Sequence, residues 1–259
     1  MRLNRAAGLA SSQFTFSPIT MERDAFDLMA AVERDHWWFR ARREFIAAAI
    51  HRIAPPAGAQ ILDAGCGSGG NLEMLSRFGS VSGFEFDRAA LAAAAALGVG
   101  SVASGSLPNG IPFANGTFDV IGLFDVLEHL DAPVESLATL ASRLTKTGAI
   151  VLTVPANPWL WGPHDVRHQH HRRYTDATLR EHLSSAGLRV EYISHVNSLL
   201  LPLAIVQRIS ERVFGYSASD LMPSRTINEA LFRIWRAERA WIPRWSSPVG
   251  LSLLAIARR

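Results

Sequence analysis

Two hydrophobic periodicities alternate along the chain. Short apolar runs such as QILDAG, SVSGFEF and FDVIGLFDV are typical of buried strands, whereas the segments that follow them repeat their apolar residues at helical spacing. DRAALAAAAALG and PVESLATLASRLTKTG are two such helical segments. Strand followed by helix, several times over, indicates parallel strands that are joined by crossover helices. We therefore predict an α/β fold with a doubly wound, mostly parallel sheet.

Helical patterns flank this alternation at both ends. From Glu22 to Ile53 the apolar positions recur near helical spacing until APPAG ends the run, and NEALFRIWRAERAWIPRW has the same spacing near the C-terminus. The beginning of the chain, rich in Ser, Ala and Arg, has no such pattern. The predicted segments are a flexible arm over 1–20, a helical lid over 21–56, the sheet domain over 57–195 and a helical appendage over 196–259.

The composition is that of a globular protein with a sizeable core. The chain has 259 residues, of which 48% are hydrophobic and 19% charged. Cys66 is the single cysteine, which excludes an internal disulfide. No charged segment followed by a long apolar one opens the sequence, so we expect a cytoplasmic protein, either free or peripheral at the inner membrane surface.

Positive charge is concentrated at the end of the chain. From Val196 onward there are nine arginines, no lysine and four acidic residues, which favours an anionic partner or surface. The apolar runs at 198–206 and 250–259 are too short to span a bilayer; they could lie in a membrane interface, cover the core or form a homodimer. The near absence of lysine and of a stacking platform argues against nucleic acid as a partner.

The most specific motif is ILDAGCGSGGNLEML at 61–75. Gly65 and Gly67 follow a strand that ends near Asp63, and such glycines let a ligand approach the backbone. The next strand ends at Glu85, about 20 residues after Gly65, where a carboxylate can take both hydroxyls of a ribose. Because Asp63 at the loop entrance would repel a pyrophosphate, it suits a ligand that carries an ammonium group. The motif predicts a nucleoside cofactor of this kind.

These motifs, in this order, resemble those of the class I S-adenosylmethionine (SAM) dependent methyltransferases. LDAGCGSG resembles their first motif, VSGFEFD the second, GIPFANGTFDVIGLFDVLEHL the third and fourth, and LTKTGAIVLTVP the last. HWWFR and HRRY resemble a bacterial branch of methyltransferases of type 11/23. The resemblance covers about residues 35–195 and implies a Rossmann-like sheet of seven strands, SAM as the cofactor and methyl transfer as the reaction.

The resemblance also implies which residues contact SAM. Asp63, Gly65 and Gly67 would line its amino acid part, with Cys66 as a small residue between the glycines, and Glu85 would hold its ribose. In the lid, the aromatic run either closes over the cofactor or packs as a buried staple. The other expected contacts are Ser106 and Leu107 at the adenine, Phe124 at the methionine portion, and Trp38 with Arg42 or Arg43 at the carboxylate and sulfonium.

Methyl transfer to a hydroxyl requires alignment and the removal of a proton. DVLEH places Asp125, Glu128 and His129 on one face if a helix begins there. Similar elements in ubiquinone and small-RNA O-methyltransferases are completed as a divalent metal site by a later His-Asp pair, which His164 begins here. Two alternatives stay open. Either Asp125, Glu128, His129 and His164 bind Mg²⁺ or Zn²⁺, or His164, His129 and Asp125 act on the acceptor without metal.

The loop HDVRHQHHRRYT raises a separate question about the acceptor. Arg172, Arg173 and Tyr174 suit a phosphate or carboxylate, or they fix the loop to the next helix. We expect O-methylation of a small-molecule, sugar or lipid-linked acceptor in specialised or envelope metabolism. The alternatives are C-methylation of a quinone-like or isoprenoid acceptor and a SAM-binding protein without catalytic activity.

Overall fold

A computed structural model describes residues 32–113, 116–214 and 222–259. The expected flexible arm at 1–20 and the first part of the lid lie outside the described residues.

Seven strands form one sheet in the order β3-β2-β1-β4-β5-β7-β6. The neighbours are parallel except for β7, which runs antiparallel to both β5 and β6. This confirms the predicted α/β, Rossmann-like and mostly parallel sheet. The strands are β1 (Ala59–Ala64), β2 (Gly79–Glu85), β3 (Ser101–Ser104), β4 (Phe118–Phe124), β5 (Leu144–Pro155), β6 (Arg189–Val196) and β7 (Ser252–Arg258).

Helices cover both faces of the sheet. The described helices are α1 (Trp37–Ile53), α2 (Leu72–Leu75), α3 (Arg88–Ala96), α4 (Pro133–Ser142), α5 (Pro163–Arg167), α6 (Asp176–Ser185), α7 (Leu201–Phe214) and α8 (Arg225–Ala237). Short 3₁₀ turns lie at Leu127–His129, Pro158–Leu160 and Glu238–Ala240. The fourth helix ends at Ser142, earlier than its apolar pattern predicts, because the chain from Leu144 pairs with β4 instead.

The core consists of two apolar layers, one on each side of the sheet. Alternate residues of a strand serve opposite layers: Ile61 and Val120 face α1, whereas Leu62 and Ile121 lie in the layer with α4 and α6. Because both faces are covered, the central strands are continuous apolar runs, which is the pattern that the sequence shows.

The lid helix α1 packs against α8 from the other end of the chain. Phe45 of α1 stacks on Trp235 of α8 with ring centres 5.6 Å apart. The side chain of Asn228 accepts a hydrogen bond from Trp37 N–H at 2.7 Å and donates one to Asp35 O at 2.9 Å. The appendage therefore fixes the start of the lid helix against the sheet domain.

The C-terminal appendage is helical only in part, and this corrects the expectation for 196–259. Its last segment is strand β7, which lies between β5 and β6. Residues 252–257 are all buried, so a continuous apolar run fits a strand covered on both faces. The run at 250–259 thus belongs to the core.

Within the described ranges, no helix has both the length and the apolar character needed to cross a bilayer.

Candidate active site

The glycine loop follows β1 at the carboxyl edge of the sheet. The N–H groups of Gly65 and Cys66 both donate to Phe84 O at 3.0 Å, which ties the loop to β2. Gly65 has φ +73°, and a Cβ there would lie 2.8 Å from the Val126 side chain. A residue other than glycine at position 65 would therefore be strained and would collide with the turn after β4.

Glu85 at the end of β2 organises this loop. One carboxylate oxygen accepts from Gly67 N–H at 2.9 Å, and the other accepts from the N–H groups of Phe86 and Asp87 at 2.9 and 3.0 Å. A Cβ on Gly67 would meet nothing within 4 Å, so the backbone here faces open space. A carboxylate held in this way beside an open backbone cradle is suited to the hydroxyls of a ribose.

Asp63 is fully buried at the bottom of the same cradle. Neither of its carboxylate oxygens has a hydrogen-bond partner among the described residues. Burial raises the pKa of Asp63 to about 7; Arg42 opposes this shift, while Glu33 and Glu85 add to it. An acidic pocket with an unpaired carboxylate favours a cationic ligand and disfavours a pyrophosphate.

Glu33, which precedes α1, and Arg43, which lies in α1, cover the cradle. The Glu33 carboxylate accepts a hydrogen bond from the Ser68 hydroxyl, and a Cβ on Gly70 would overlap it. Arg43 donates to the carbonyl oxygens of Glu33 and Arg34 at 3.1 and 2.8 Å, so it holds the turn that carries Glu33. Arg43 was expected to contact the cofactor; here its guanidinium positions another residue that faces the loop.

Arg42 lies at the boundary between the cofactor side and the acceptor side. It is buried, its guanidinium lies 4.7 Å from the centre of the Trp38 ring, and it forms an ion pair with Asp125. Asp125 has φ +55° and also accepts from the Thr153 hydroxyl at 3.0 Å. Trp38 in turn packs on Trp235 with ring centres 6.2 Å apart, and this contact helps to fix the position of Arg42.

The remaining expected cofactor residues lie around the same edge. Gly105 N–H donates to Glu85 O at 3.1 Å, which places the turn with Ser106 and Leu107 next to the end of β2. Phe124 is buried at the end of β4. Burial raises the pKa of the Cys66 thiol to about 12, so it is protonated at neutral pH and acts as a small buried residue.

A second polar group lies after β4. Glu128, His129 and His170 each have a nitrogen or oxygen atom within 4.8 Å of the others. Glu128 is 0% exposed, and neither carboxylate oxygen has a hydrogen-bond partner in the described part of the chain. Burial and then the neighbouring Asp125 raise the pKa of Glu128, while desolvation and then His170 lower the pKa of His129. The group combines a buried carboxylate with two imidazoles.

Asp165 fixes the orientation of His170. Its Oδ1 lies 2.9 Å from His170 Nδ1 and 2.7 Å from Arg173 Nε, and its Oδ2 accepts from Gly162 N–H at 2.9 Å. Burial acts to raise the pKa of Asp165, but the hydrogen bonds from His170 and Arg173 outweigh it and hold the pKa below its ordinary value. When Nδ1 donates to this carboxylate, the ring lone pair is on Nε2, as in histidines that bind metals or accept protons.

The structure separates the residues expected on the acceptor side. The ring centre of His164 lies 4.2 Å from that of His168, with the rings tilted, and 6.1 Å from that of His170. Tyr174 is 1% exposed, and Arg173 also donates to Ala156 O at 3.1 Å. A substrate clamp by Arg173 and Tyr174 is therefore corrected to a structural role, because these side chains are used inside the protein.

Arg172 is half-buried and interacts with Tyr174, where it acts to lower the tyrosine pKa against the larger effect of burial. Sequence assigns no role to Glu33, places Asp165 in the His-Asp pair with His164, and gives His170 only the role of a scaffold residue or acceptor contact. Asp165 and His170 lie in the same loop, but only the folded loop shows which histidine faces Glu128.

The cradle fits SAM. The orphaned oxygens of Asp63 suit the ammonium group of its amino acid part, Glu85 suits its ribose, and the open side of Gly67 leaves room for the ligand between them. The three acidic side chains around the loop, Glu33, Asp63 and Glu85, would repel the phosphates of a dinucleotide.

Comparison with known proteins agrees with this site. The family model described as a methyltransferase domain matches residues 38–193, more than half of the chain. No curated protein sequence matches the chain.

Solved structures share the fold. A TehB-like SAM-dependent methyltransferase from Corynebacterium glutamicum has a TM-score of 0.53 and 19% identity, over 94% of this chain and 100% of that one. A SAM-dependent methyltransferase from Clostridium acetobutylicum has a TM-score of 0.56 and 11% identity, over 93% and 99%. The [4+2]-cyclase SpnF has a TM-score of 0.60 and 15% identity, over 93% and 94%. With the family model and the acidic glycine-loop cradle together, the chain belongs to the methyltransferase-domain family and is a class I SAM-dependent methyltransferase.

Proposed function

We propose that the protein transfers the methyl group of SAM to a hydroxyl oxygen of a small-molecule, sugar or lipid-linked acceptor. One observation carries the proposal: Glu128, fully buried and without a hydrogen-bond partner in the described chain, lies beside His129 and His170 after the strand that borders the cofactor cradle. A group of this kind can take the proton of a hydroxyl or bind the ion that acidifies it.

The cofactor side of the site has mainly a binding and orienting role. Bound SAM supplies a methyl group on a positively charged sulfur, and the transfer is an in-line displacement that depends on alignment. Glu85 and the Gly67 backbone orient the nucleoside, and Asp63 holds the amino acid part. The Arg42–Asp125 ion pair, braced by Thr153, fixes the turn between the cradle and the acceptor group.

We propose further that Glu128, His129 and His170 hold a divalent metal ion such as Mg²⁺ or Zn²⁺. A bound ion would lower the pKa of the acceptor hydroxyl. The support is the donor set: one carboxylate and two imidazoles, with a hydrogen bond donated by His170 Nδ1–H to Asp165, as is typical of metal-binding histidines. Of the four candidates expected from sequence, this proposal keeps Glu128 and His129 and replaces His164 by His170. Asp125 is left out, because its carboxylate pairs with Arg42 and accepts from Thr153.

The test compares His170→Asn with the matched variant His171→Asn, whose exposed ring pairs with Asp131. Protein freed of metal with chelator would be loaded with Mg²⁺, Zn²⁺ or Co²⁺, and metal content and Co²⁺ absorption would be measured alongside methyl transfer to a panel of hydroxylated acceptors. We expect a bound ion and a methyl ether product in the wild type and in His171→Asn, and a fall of about 100-fold or more in turnover in His170→Asn.

Each part of the proposal has its own contrary result. Full activity in excess chelator would eliminate the metal and leave His170 and His129 as bases that act directly. A product with the new methyl group on carbon would eliminate O-methylation. Binding of S-adenosylhomocysteine (SAH) without turnover on any acceptor or cell extract would favour the non-catalytic alternative.

A further inference from the structure

The outward side of α7 is apolar. Leu203, Val206 and Ile209 are 57%, 64% and 55% exposed, and Pro202 is exposed beside them. At 100° per residue these four positions lie within an arc of about 120° on one side of the helix. Between Leu201 and Glu211, where the side chains are described, no charged residue lies on this arc.

The inward side of the same helix contains an ion pair beside the half-buried Leu201, Ala204 and Ile205. Arg208 and Glu211 form an ion pair at 2.7 Å, and their side chains are only 15% and 5% exposed. They line a small cavity of about 160 Å³ with Trp161, Gly162 and Pro163. In the part of the helix whose side chains are described, both charged residues are therefore largely buried while an apolar arc is exposed, which is unusual for a surface helix.

The position of α7 relates this surface to the acceptor site. A Cβ on Gly162 would lie 2.7 Å from the Arg208 guanidinium, so α7 rests on the segment that leads into α5. The N–H of Gly162 donates to Asp165, the residue that orients His170. The inward side of α7 therefore rests on the segment that carries the acceptor group, and the outward arc lies on the far side of the helix.

The size of the arc argues against a second copy of the chain as its occupant. Four side chains that are each about half exposed present at most roughly 400 Å², about half of what each partner contributes to a stable dimer of standard size. A lipid surface needs no such area, because an amphipathic helix binds in the interface with only a few inserted side chains when electrostatic attraction adds to them.

The charge of the appendage supplies that attraction. From Val196 onward the sequence has nine arginines and four acidic residues, and two of the acidic ones, Glu211 and Glu238, are buried. Glu211 is buried with its partner Arg208, so it is the burial of Glu238 that adds to the positive excess of the exposed surface. Exposed Trp159, in the 3₁₀ turn just before Gly162, is of the type that is enriched where protein meets lipid headgroups.

We propose that α7 docks on an anionic lipid surface, with Leu203, Val206 and Ile209 inserted. This inference rests on the proposed function, and among the acceptors proposed there it selects the lipid-linked class. The docking itself does not depend on methyl transfer, so it can be tested separately.

The experiment is flotation of the full-length protein with SAH on vesicles of phosphatidylcholine, with and without phosphatidylglycerol. We expect binding to the anionic vesicles, at least several-fold weaker binding to neutral ones, and a loss of about 10-fold or more for the triple variant Leu203→Gln/Val206→Gln/Ile209→Gln. The matched control is Ile227→Gln/Ile234→Gln, which removes two exposed apolar side chains of α8 on the side away from Arg225, Arg233 and Arg236, and its vesicle binding should not change.

A second measurement is independent of the triple variant. Since Cys66 is buried, Val206→Cys can be labelled with an environment-sensitive dye, and its emission should shift to the blue on anionic vesicles, whereas that of Ile234→Cys should not. Vesicle binding that is absent in the wild type, or unchanged in the triple variant, overturns the proposal. So does a wild-type dimer in solution that the triple variant dissociates, which would assign the arc to a second copy.

Discussion

The cofactor side and the acceptor side of the site lie at the same edge of one sheet, yet they are built differently. The cofactor side is made largely of backbone: Glu85 accepts three N–H groups, Gly65 leaves room for the turn after β4, and Gly67 leaves room for the ligand. The acceptor side is made of side chains from separate segments, among them Glu128, His170 and Asp165. The first depends on the path of the chain, and the second depends on which side chains are present.

This difference explains why the cofactor is easier to identify than the acceptor. A backbone cradle tolerates few changes of residue type, since a Cβ at Gly65 would collide with Val126. A group of side chains can change without disturbing the sheet. Structures that share this fold include one named as a [4+2]-cyclase beside several methyltransferases, as expected if the acceptor side diverges while the fold stays.

The largest effect should come from Glu85, on the cofactor side. Glu85→Ala removes the acceptor of three backbone N–H groups as well as the ribose contact, so SAH affinity should fall more than about 100-fold in calorimetry. The matched control is Glu73→Ala, which removes an exposed carboxylate from α2 just after the same loop. Tight SAH binding by a folded Glu85→Ala protein would contradict the assignment.

Glu128→Gln should affect the acceptor side alone. Turnover should fall about 100-fold while SAH affinity changes less than about 3-fold. Because the amide replaces a buried carboxylate that has no partner in the described chain, thermal stability without ligand should stay equal or rise.

The control for this prediction is a second buried glutamate. Glu238 accepts a hydrogen bond from Leu199 N–H at 2.7 Å, so Glu238→Gln should lower stability and keep turnover. Loss of stability in Glu128→Gln comparable to that in Glu238→Gln would show that Glu128 has a structural role.

The fold could be predicted from sequence almost completely, because it depends on periodicity. Alternating strand and helix patterns gave the parallel sheet, and the family motifs gave its seven strands. The exception is β7: an apolar run near the C-terminus fits a membrane helix, a core helix and a buried strand equally well. Only its pairing with β5 and β6, distant in sequence, decides among them.

The site could be predicted where one motif contains it. Asp63, the glycines and Glu85 lie where the motif implies. The acceptor group could not, because four histidines occur in the loop at 164–171 and sequence does not show which of them faces Glu128. His170 does so because Asp165, which also accepts from Arg173, orients its ring, and this depends on the turn of α5 rather than on spacing.

An effect of intermediate size is expected when SAH affinity is measured at a series of pH values, and it tests Asp63 on the cofactor side. Burial raises the pKa of Asp63 to about 7, so below that pH its carboxyl becomes protonated while the amine of SAH stays charged. SAH affinity should therefore fall as the pH falls, by up to about 10-fold per pH unit below 7. In Asp63→Asn the affinity should be weaker and nearly independent of pH between 5 and about 7.

The stability of the unliganded protein should depend on pH in the opposite direction, falling as the pH rises. The folded-state pKa of Asp63 lies above its ordinary value, so the folded state holds the proton more tightly and loses stability as the pH rises from about 4 to about 7. Asp63→Asn should remove this decline and melt at a higher temperature than the wild type at pH 8. An SAH affinity of the wild type that is constant from pH 5 to 8 would be incompatible with a buried carboxylate that titrates in this range.

The smallest effect should come from Thr153, which joins the two sides. Its hydroxyl donates to Asp125 at 3.0 Å and so braces the carboxylate that pairs with Arg42. Thr153→Val should lower kcat about 5-fold, the worth of one hydrogen bond, with little change in SAH affinity. Thr145→Val on the same strand is the matched control, since its hydroxyl donates to Asp119 at 3.0 Å at the opposite end of the sheet, and it should leave kcat unchanged. Equal effects of the two variants would mean that Thr153 supports the strand and not the turn that separates cofactor from acceptor.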